Sequence, residues 1–201
     1  MKLLLTSTGL ANKSITDKFL ELTGKPATGI KIIFVPTASR TEHELKYVQK
    51  SRQQLLDLGI LGKNIKDMNL DKKIAYSEVR NYDVIYVCGG NSFFLLKKVR
   101  ESGFDEIIKE FVKNNKLYFG VSAGSLLVCP DISIASPCDE NDVGITDLTG
   151  LNLIDVIVSP HYCEKERQLI EDFRKKSKIQ VIPLTDNQAL LVLNNSQKII
   201  E

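Results

Sequence analysis

The sequence predicts an α/β fold: a three-layer αβα sandwich around a mostly parallel central sheet, with residues 1–201 forming one domain. Three observations predict it. Short β-branched apolar runs alternate with longer amphipathic stretches, the pattern of a parallel sheet covered by helices on both faces. The runs are almost uninterrupted, as in Val84-Ile85-Tyr86-Val87, which is how strands buried on both faces read. A chain of 201 residues is long enough for one buried core and short for two, and it contains no repeat, low-complexity segment or linker.

The elements follow in order. Strands are expected at Lys2–Thr6, Ile30–Val35, Ile65–Leu70, Asp83–Cys88 and Leu117–Val121, then at Ile132–Ala135, Asp155–Val158, Gln180–Leu184 and Ala189–Leu193. A first helix begins near Asn12 or Ser14, either of which can cap it, and ends at Gly24. A second runs from about Glu42 to Leu58, with Leu45, Val48, Leu55 and Leu56 on its apolar stripe and Gly59 past its end. A third follows Asn91, with Phe94, Leu95 and Val99 facing inward. The last two cover roughly Phe104 to Lys113 and Glu164 to about Lys176, and Pro137–Gly150 is polar enough to be a long loop.

Composition narrows the function. Apolar residues make up 43% and charged residues 26%, with a formal net charge of only +2 and acids and bases interspersed. No basic tail or aromatic-interleaved basic patch marks a nucleic-acid surface. The opening Met1-Lys2-Leu3-Leu4-Leu5 is too short an apolar run for a signal peptide or a membrane span, and no apolar run elsewhere approaches the ~20 residues that a span needs. The expectation is a soluble, cytoplasmic protein with no nucleic-acid or membrane partner; an exposed sheet edge near either terminus leaves room for a homodimer. Cys88, Cys129, Cys138 and Cys163 form no C-x-x-C, and their spacing with His161 matches no standard zinc framework, so they read as buried small hydrophobes rather than disulfides or metal ligands.

The most informative segment is Leu117-Tyr118-Phe119-Gly120-Val121-Ser122-Ala123-Gly124-Ser125. A buried strand runs into a helix through Gly-x-Ser-x-Gly, the nucleophile-elbow pattern, which puts Ser122 on a tight turn at a helix N-terminus. Small neighbours are needed there because the turn crowds its flanks. The Ala123 N–H then points toward the position of a tetrahedral oxyanion. A second motif, Cys88-Gly89-Gly90-Asn91, also sits at the end of a buried strand, the edge where open α/β sheets bind ligands. Gly90 is the candidate second oxyanion donor, and Asn91 is placed to cap the next helix and to contact substrate. The competing readings are a tight turn with a capping serine, and a tight turn with a capping asparagine.

A serine needs a base to be nucleophilic near neutral pH. Of the two histidines, His43 lies in the polar run Thr41-Glu42-His43-Glu44, whereas His161 follows the strand Asp155–Val158 and is the candidate base. Asp186, after the strand Gln180–Leu184, is the candidate carboxylate that orients it; Glu164, Glu166 and Asp131 are rivals. The order Ser122, His161, Asp186 differs from the Ser, Asp, His order of ordinary α/β-hydrolases.

Four ordered motifs carry a resemblance. Cys88–Leu96, Gly120–Ser125, Ser159–Tyr162 and Leu184–Leu190, with Thr6–Gly9 and Val35–Ser39, resemble the dipeptidase E family of serine peptidases, which includes aspartyl dipeptidases and cyanophycinases. The resemblance spans nearly the whole chain. It implies a class I glutamine amidotransferase-like (flavodoxin-like) fold, with the nucleophile at Ser122, the base at His161 and oxyanion donors at Gly90 and Ala123. The family's triad acid is usually glutamate, where this chain has Asp186. The arginine-bearing segment that follows the base in aspartyl dipeptidases is shortened here to Cys163-Glu164-Lys165-Glu166-Arg167, with Arg40 able to approach from another strand end, so a preference for Asp-X dipeptides does not carry over. The expected reaction is hydrolysis of a short, dipeptide-like amide through a Ser122 acyl-enzyme, with no metal or organic cofactor. The alternatives are an esterase or amidase for a small metabolite using the same residues, and a catalytically silent binding module.

Overall fold

The computed structural model describes residues 1–194 and 196–201. Strands β1 (Lys2–Thr6), β2 (Ile32–Val35), β3 (Ile65–Asp67), β4 (Val84–Val87) and β5 (Leu117–Val121) are parallel. They form the sheet with antiparallel β8 (Ala189–Leu193) and β9 (Ser196–Ile200), in the order β3-β2-β4-β5-β1-β8-β9. The alternation of side chains along each strand builds two cores. Leu4, Ile32, Phe34, Val84, Tyr86 and Phe119 face one way, and Leu3, Leu5, Ile33, Ile85, Val87 and Tyr118 face the other.

Helices α1 (Lys13–Thr23) and α2 (Glu42–Asp57) cover the first face through Ile15, Phe19, Leu22 and Leu55. On that face Phe34, Tyr86 and Phe119 stack across three neighbouring strands, with ring centroids 5.2 and 4.7 Å apart. The second face carries α3 (Ser92–Ser102), α4 (Phe104–Lys113) and α6 (Arg167–Ser177). The caps explain the boundaries. Asn12 accepts from Ile15 N–H at 3.0 Å, Thr41 and Glu44 close a reciprocal capping box, and Gly24 and Gly103 end α1 and α3 at φ +63° and +74°.

Several expectations need correction. Ile132–Ala135 is not a strand: the Asp131 carboxylate accepts the Ser133 N–H at 2.6 Å and turns the segment into a 3-10 turn, although Ile132, Ile134 and Ala135 remain buried. The segments expected at Asp155–Val158 and Gln180–Leu184 do not join the main sheet. As β6 (Ile157–Ser159) and β7 (Val181–Pro183) they form a separate parallel pair on the second face. Strand β9 was not expected, because Ser196-Gln197-Lys198 hides an edge strand that exposes most of its length. On α2, Leu45 and Leu56 are exposed and Ser51 and Leu55 are the buried positions. On α3, Phe93 is buried where Phe94 was expected; Phe94 is half-buried beneath the Arg40 guanidinium, 4.5 Å from its ring centroid. Cys88 and Cys129 are buried, but Cys138 and Cys163 are exposed.

Candidate active site

The C-terminal ends of β1, β4 and β5 share one edge of the sheet, and the site is built on it. At the end of β5 the backbone reverses into α5 (Ala123–Leu126), with Ser122 at φ +50° and ψ −111°, a conformation that costs a non-glycine residue of order 1–3 kcal/mol. The surrounding contacts hold it there. Ser122 N–H donates to the Thr6 carbonyl at 2.9 Å, and the buried Ser125 hydroxyl lies 2.8–2.9 Å from the Thr6 and Gly120 carbonyls. A side chain at Gly120 would put Cβ 2.6 Å from the Gly124 carbonyl oxygen, and one at Gly124 would put it 2.4 Å from that of Val87. Both glycines are therefore required by close backbone approach rather than by chain flexibility. The elbow helix is only four residues long, so its dipole is weaker than the sequence suggested; the turn itself, rather than a long helix, poses Ser122.

The end of β4 packs against this turn. A Cβ on Gly89 would sit 3.0 Å from that of Ser122. Gly90 has φ +129°, and a Cβ there would lie 2.2 Å from the Ala38 carbonyl oxygen, so no other residue fits. Among the described residues, the N–H groups of Gly90 and Ala123 donate to no protein acceptor. Cys88, just before this turn, is an unsuitable nucleophile: burial pushes its thiol up, so it stays protonated. Asn91 is committed to structure. Its Oδ1 accepts from Phe94 N–H at 2.8 Å and its Nδ2 donates to the Glu140 carbonyl at 2.8 Å, and it lines neither cavity at Ser122, which argues against the substrate contact expected of it.

His161 arrives from β6 at φ +59°, and its N–H donates to the Ser7 hydroxyl at 3.0 Å. Ser7 in turn donates to the Leu184 carbonyl at 3.0 Å, and Thr8 donates to the Asp186 carbonyl at 2.7 Å. The residues just after β1 therefore tie both the β6 and β7 exits to the main sheet, a role the sequence reading did not assign to Ser7 and Thr8. The outcome is a relay: His161 Nε2 lies 3.0 Å from Ser122 Oγ, and His161 Nδ1 lies 2.7 Å from Asp186 Oδ1. A carboxylate only accepts, so Nδ1 carries the proton and Nε2 is left as the acceptor for the serine O–H. The imidazole and carboxylate are open, with side chains 48% and 62% exposed, while the serine sits against the sheet edge.

The rival acids are engaged elsewhere. Glu164 pairs with Arg167 at 2.7 Å, Glu166 Oε2 accepts from Cys163 N–H at 3.0 Å, and Asp131 holds the Ser133 N–H. His43 is exposed on α2 and packs edge-on against Tyr47. Two cavities flank the serine and share Gly90, Ser122 and His161. One, about 320 Å³, extends beneath α2 to Tyr47, Val48 and Ser51; the other, about 110 Å³, reaches Cys138, Asp139 and Glu166. Arg40 lines neither, because its guanidinium is held by Asp142 at 2.7 and 3.2 Å, and Arg167 lines neither. No helix among the described residues is long and apolar enough to cross a membrane.

Comparison with known proteins shows the family. The family model for peptidase family S51 matches residues 3–200. An uncharacterized peptidase of Pasteurella multocida is 31% identical over 207 residues, covering all of this chain and 97% of its own. Peptidase E of Shigella flexneri is 34% identical over 164 residues, covering 80% of this chain and 68% of its own. A crystal structure from Listeria monocytogenes EGD-e, described as a peptidase E protein, superposes with a TM-score of 0.82 at 27% identity, covering 98% of this chain and 96% of that one. A peptidase from an acI-B1 actinobacterium shares the fold at a TM-score of 0.69 and 20% identity. With a family match across the whole sheet and the Gly-x-Ser-x-Gly turn inside it, the chain belongs to peptidase family S51 as a serine-type peptidase related to peptidase E.

Proposed function

We propose that the protein hydrolyses the amide bond of short, dipeptide-like substrates through an acyl-enzyme on Ser122, with His161 as general base and Asp186 as its orienting carboxylate. The observation that carries this reading is the Asp186–His161–Ser122 relay of 2.7 and 3.0 Å at the C-terminal edge of the parallel sheet. His161 Nε2 takes the Ser122 proton as Oγ attacks the amide carbonyl carbon. The oxyanion that forms is met by the Gly90 and Ala123 N–H groups, each of which is worth roughly 100- to 1,000-fold in rate in comparable sites. Collapse breaks the C–N bond, and the imidazolium returns its proton to the departing amine. Water then attacks the acyl carbon while His161 takes its proton, releasing the acid and restoring Ser122.

The cavity dimensions favour a short substrate. The larger cavity, about 320 Å³, is at the small end of the ~300–1,000 Å³ of ligand pockets, and α2 forms one wall of it. None of the steps calls on a metal or organic cofactor. Turnover of a panel of dipeptides by the protein and by Ser122→Ala tests the reading. The expected result is loss of at least ~10⁴-fold in kcat/KM with an unchanged melting temperature. Activity retained in Ser122→Ala would remove Ser122 from the mechanism.

A further inference from the structure

The smaller cavity has a distinct chemistry. Its walls include the carboxylates of Asp139 and Glu166, and no lysine or arginine lines it; His161 is its one basic side chain. Each carboxylate uses one oxygen on a backbone N–H: Asp139 Oδ2 on Ser92 at 2.7 Å and Glu166 Oε2 on Cys163 at 3.0 Å. The second oxygen of each has no hydrogen-bond partner among the described residues. Two further lining groups point the same way. Ser92 and Ser159 are only 4% and 8% exposed, yet their hydroxyls make no hydrogen bond among the described residues. The Tyr86 hydroxyl alone, among those residues, is both unpartnered and fully sealed, so the two serine hydroxyls keep access to space, and the cavity they line supplies it. The remaining wall is apolar, from Leu126, Ile134 and Leu169.

Two free carboxylate oxygens and two free hydroxyls are acceptors, and an ammonium group offers three N–H donors and no acceptor. We infer that this cavity binds an ammonium group of the peptide substrate, and that it disfavours an aspartyl side chain through like charge. The inference rests on the reading of Ser122 as nucleophile, because the cavity opens on Ser122 and His161. The ammonium has two sources, the peptide's free amino terminus or a lysine side chain.

Binding by the full-length Ser122→Ala protein separates these sources. The calorimetric probes are Lys-Ala, norleucyl-Ala, N-acetyl-norleucyl-Ala and Asp-Ala. A cavity for the amino terminus makes norleucyl-Ala bind about tenfold or more tightly than its acetylated form. A cavity for the side chain puts that gap between Lys-Ala and norleucyl-Ala instead. In either case Asp-Ala binds more weakly than norleucyl-Ala. Asp139→Asn and Glu166→Gln keep an acceptor for the Ser92 and Cys163 N–H groups, and each is expected to shrink the gap severalfold. Glu140→Gln, an exposed acid that lines neither cavity, leaves the gap intact. Equal binding of all four probes, no binding by any, or a gap unchanged in both Asp139→Asn and Glu166→Gln overturns the inference. Fluorophosphonate labelling of the unmodified protein reports on Ser122 separately. A labelled serine with no ammonium preference defeats only the cavity assignment, and an unlabelled serine defeats the nucleophile.

Discussion

The two halves of the site are held by different physics. Ser122 is fixed from beneath, by a backbone bond to Thr6, by the Ser125 hydroxyl and by glycines at which a Cβ would collide with neighbouring carbonyls. His161 and Asp186 stand on the exits of a two-stranded accessory sheet, largely open to solvent, and are tied to the main sheet through Ser7 and Thr8. Strain at the nucleophile is sustained because the packing around it is over-determined. Orientation at the base depends on a few polar contacts that water can compete for. The difference teaches that folding and catalysis are coupled in the elbow and largely separable at the base.

That contrast can be broken by substitution. The largest effect is expected from His161→Ala, which removes the base: kcat/KM falls by ~10⁴-fold or more, while the thermal midpoint stays close to that of the native protein. A large drop in midpoint would show that the accessory exits also carry the fold. Gly124→Ala should behave in the opposite manner. Its Cβ would meet the Val87 carbonyl at 2.4 Å, so stability falls by about 1–3 kcal/mol or more and activity falls with it. Denaturant titration beside turnover reads both, and a stable but inactive variant would contradict the coupling. Asp186→Asn sharpens the comparison within the base half. An amide that donates toward His161 Nδ1 favours the wrong tautomer, and a loss of about 100-fold or more in kcat is expected without loss of stability. Rescue to native rates by Asp186→Glu would indicate that the exit of β7 tolerates the longer side chain.

The smallest effect concerns the wall formed by α2. Burial pushes the Glu44 carboxyl up, but the Thr41 and Arg40 N–H groups that donate to it outweigh burial and hold it below the usual carboxylate range. The Arg40 guanidinium lowers Asp142 in the same direction. Both groups are more acidic folded than unfolded, so their stabilisation is present above the ordinary carboxylate pKa of about 4 and is lost as pH falls through the depressed values. Carboxyl NMR titration checks this, and ordinary values at both groups would refute it.

Much of this was legible in the sequence, for identifiable reasons. Strands β1, β2, β4 and β5 read correctly because burial on both faces demands continuous apolar runs, whereas β3 stops at Asp67, short of the expected Leu70, with Lys66 and Asp67 exposed. The helix expected at roughly Phe104 to Lys113 read well because Phe104, Ile107, Ile108, Phe111 and Val112 form one buried stripe. The elbow read through its glycines, which only a close backbone approach explains. What was not legible depends on the path of the chain in space. Ile132–Ala135 is apolar enough for a strand, but Asp131 diverts it locally. Nothing in β6 and β7 marks them as a separate pair, since buried strands look alike whichever sheet they join. Asn91 looked free to meet substrate because the loop that claims its amide lies about 50 residues downstream, at Glu140. Arg40 was neutralised by Asp142 in that same loop, and no spacing rule connects them.

The most direct test of the central claim is fluorophosphonate labelling with peptide mapping, on the native protein and on His161→Ala. The relay geometry predicts a single modified residue, Ser122, labelled rapidly in the native protein and not detectably in His161→Ala. Labelling elsewhere, or labelling of Ser122 that survives the loss of His161, would contradict a serine activated through that imidazole.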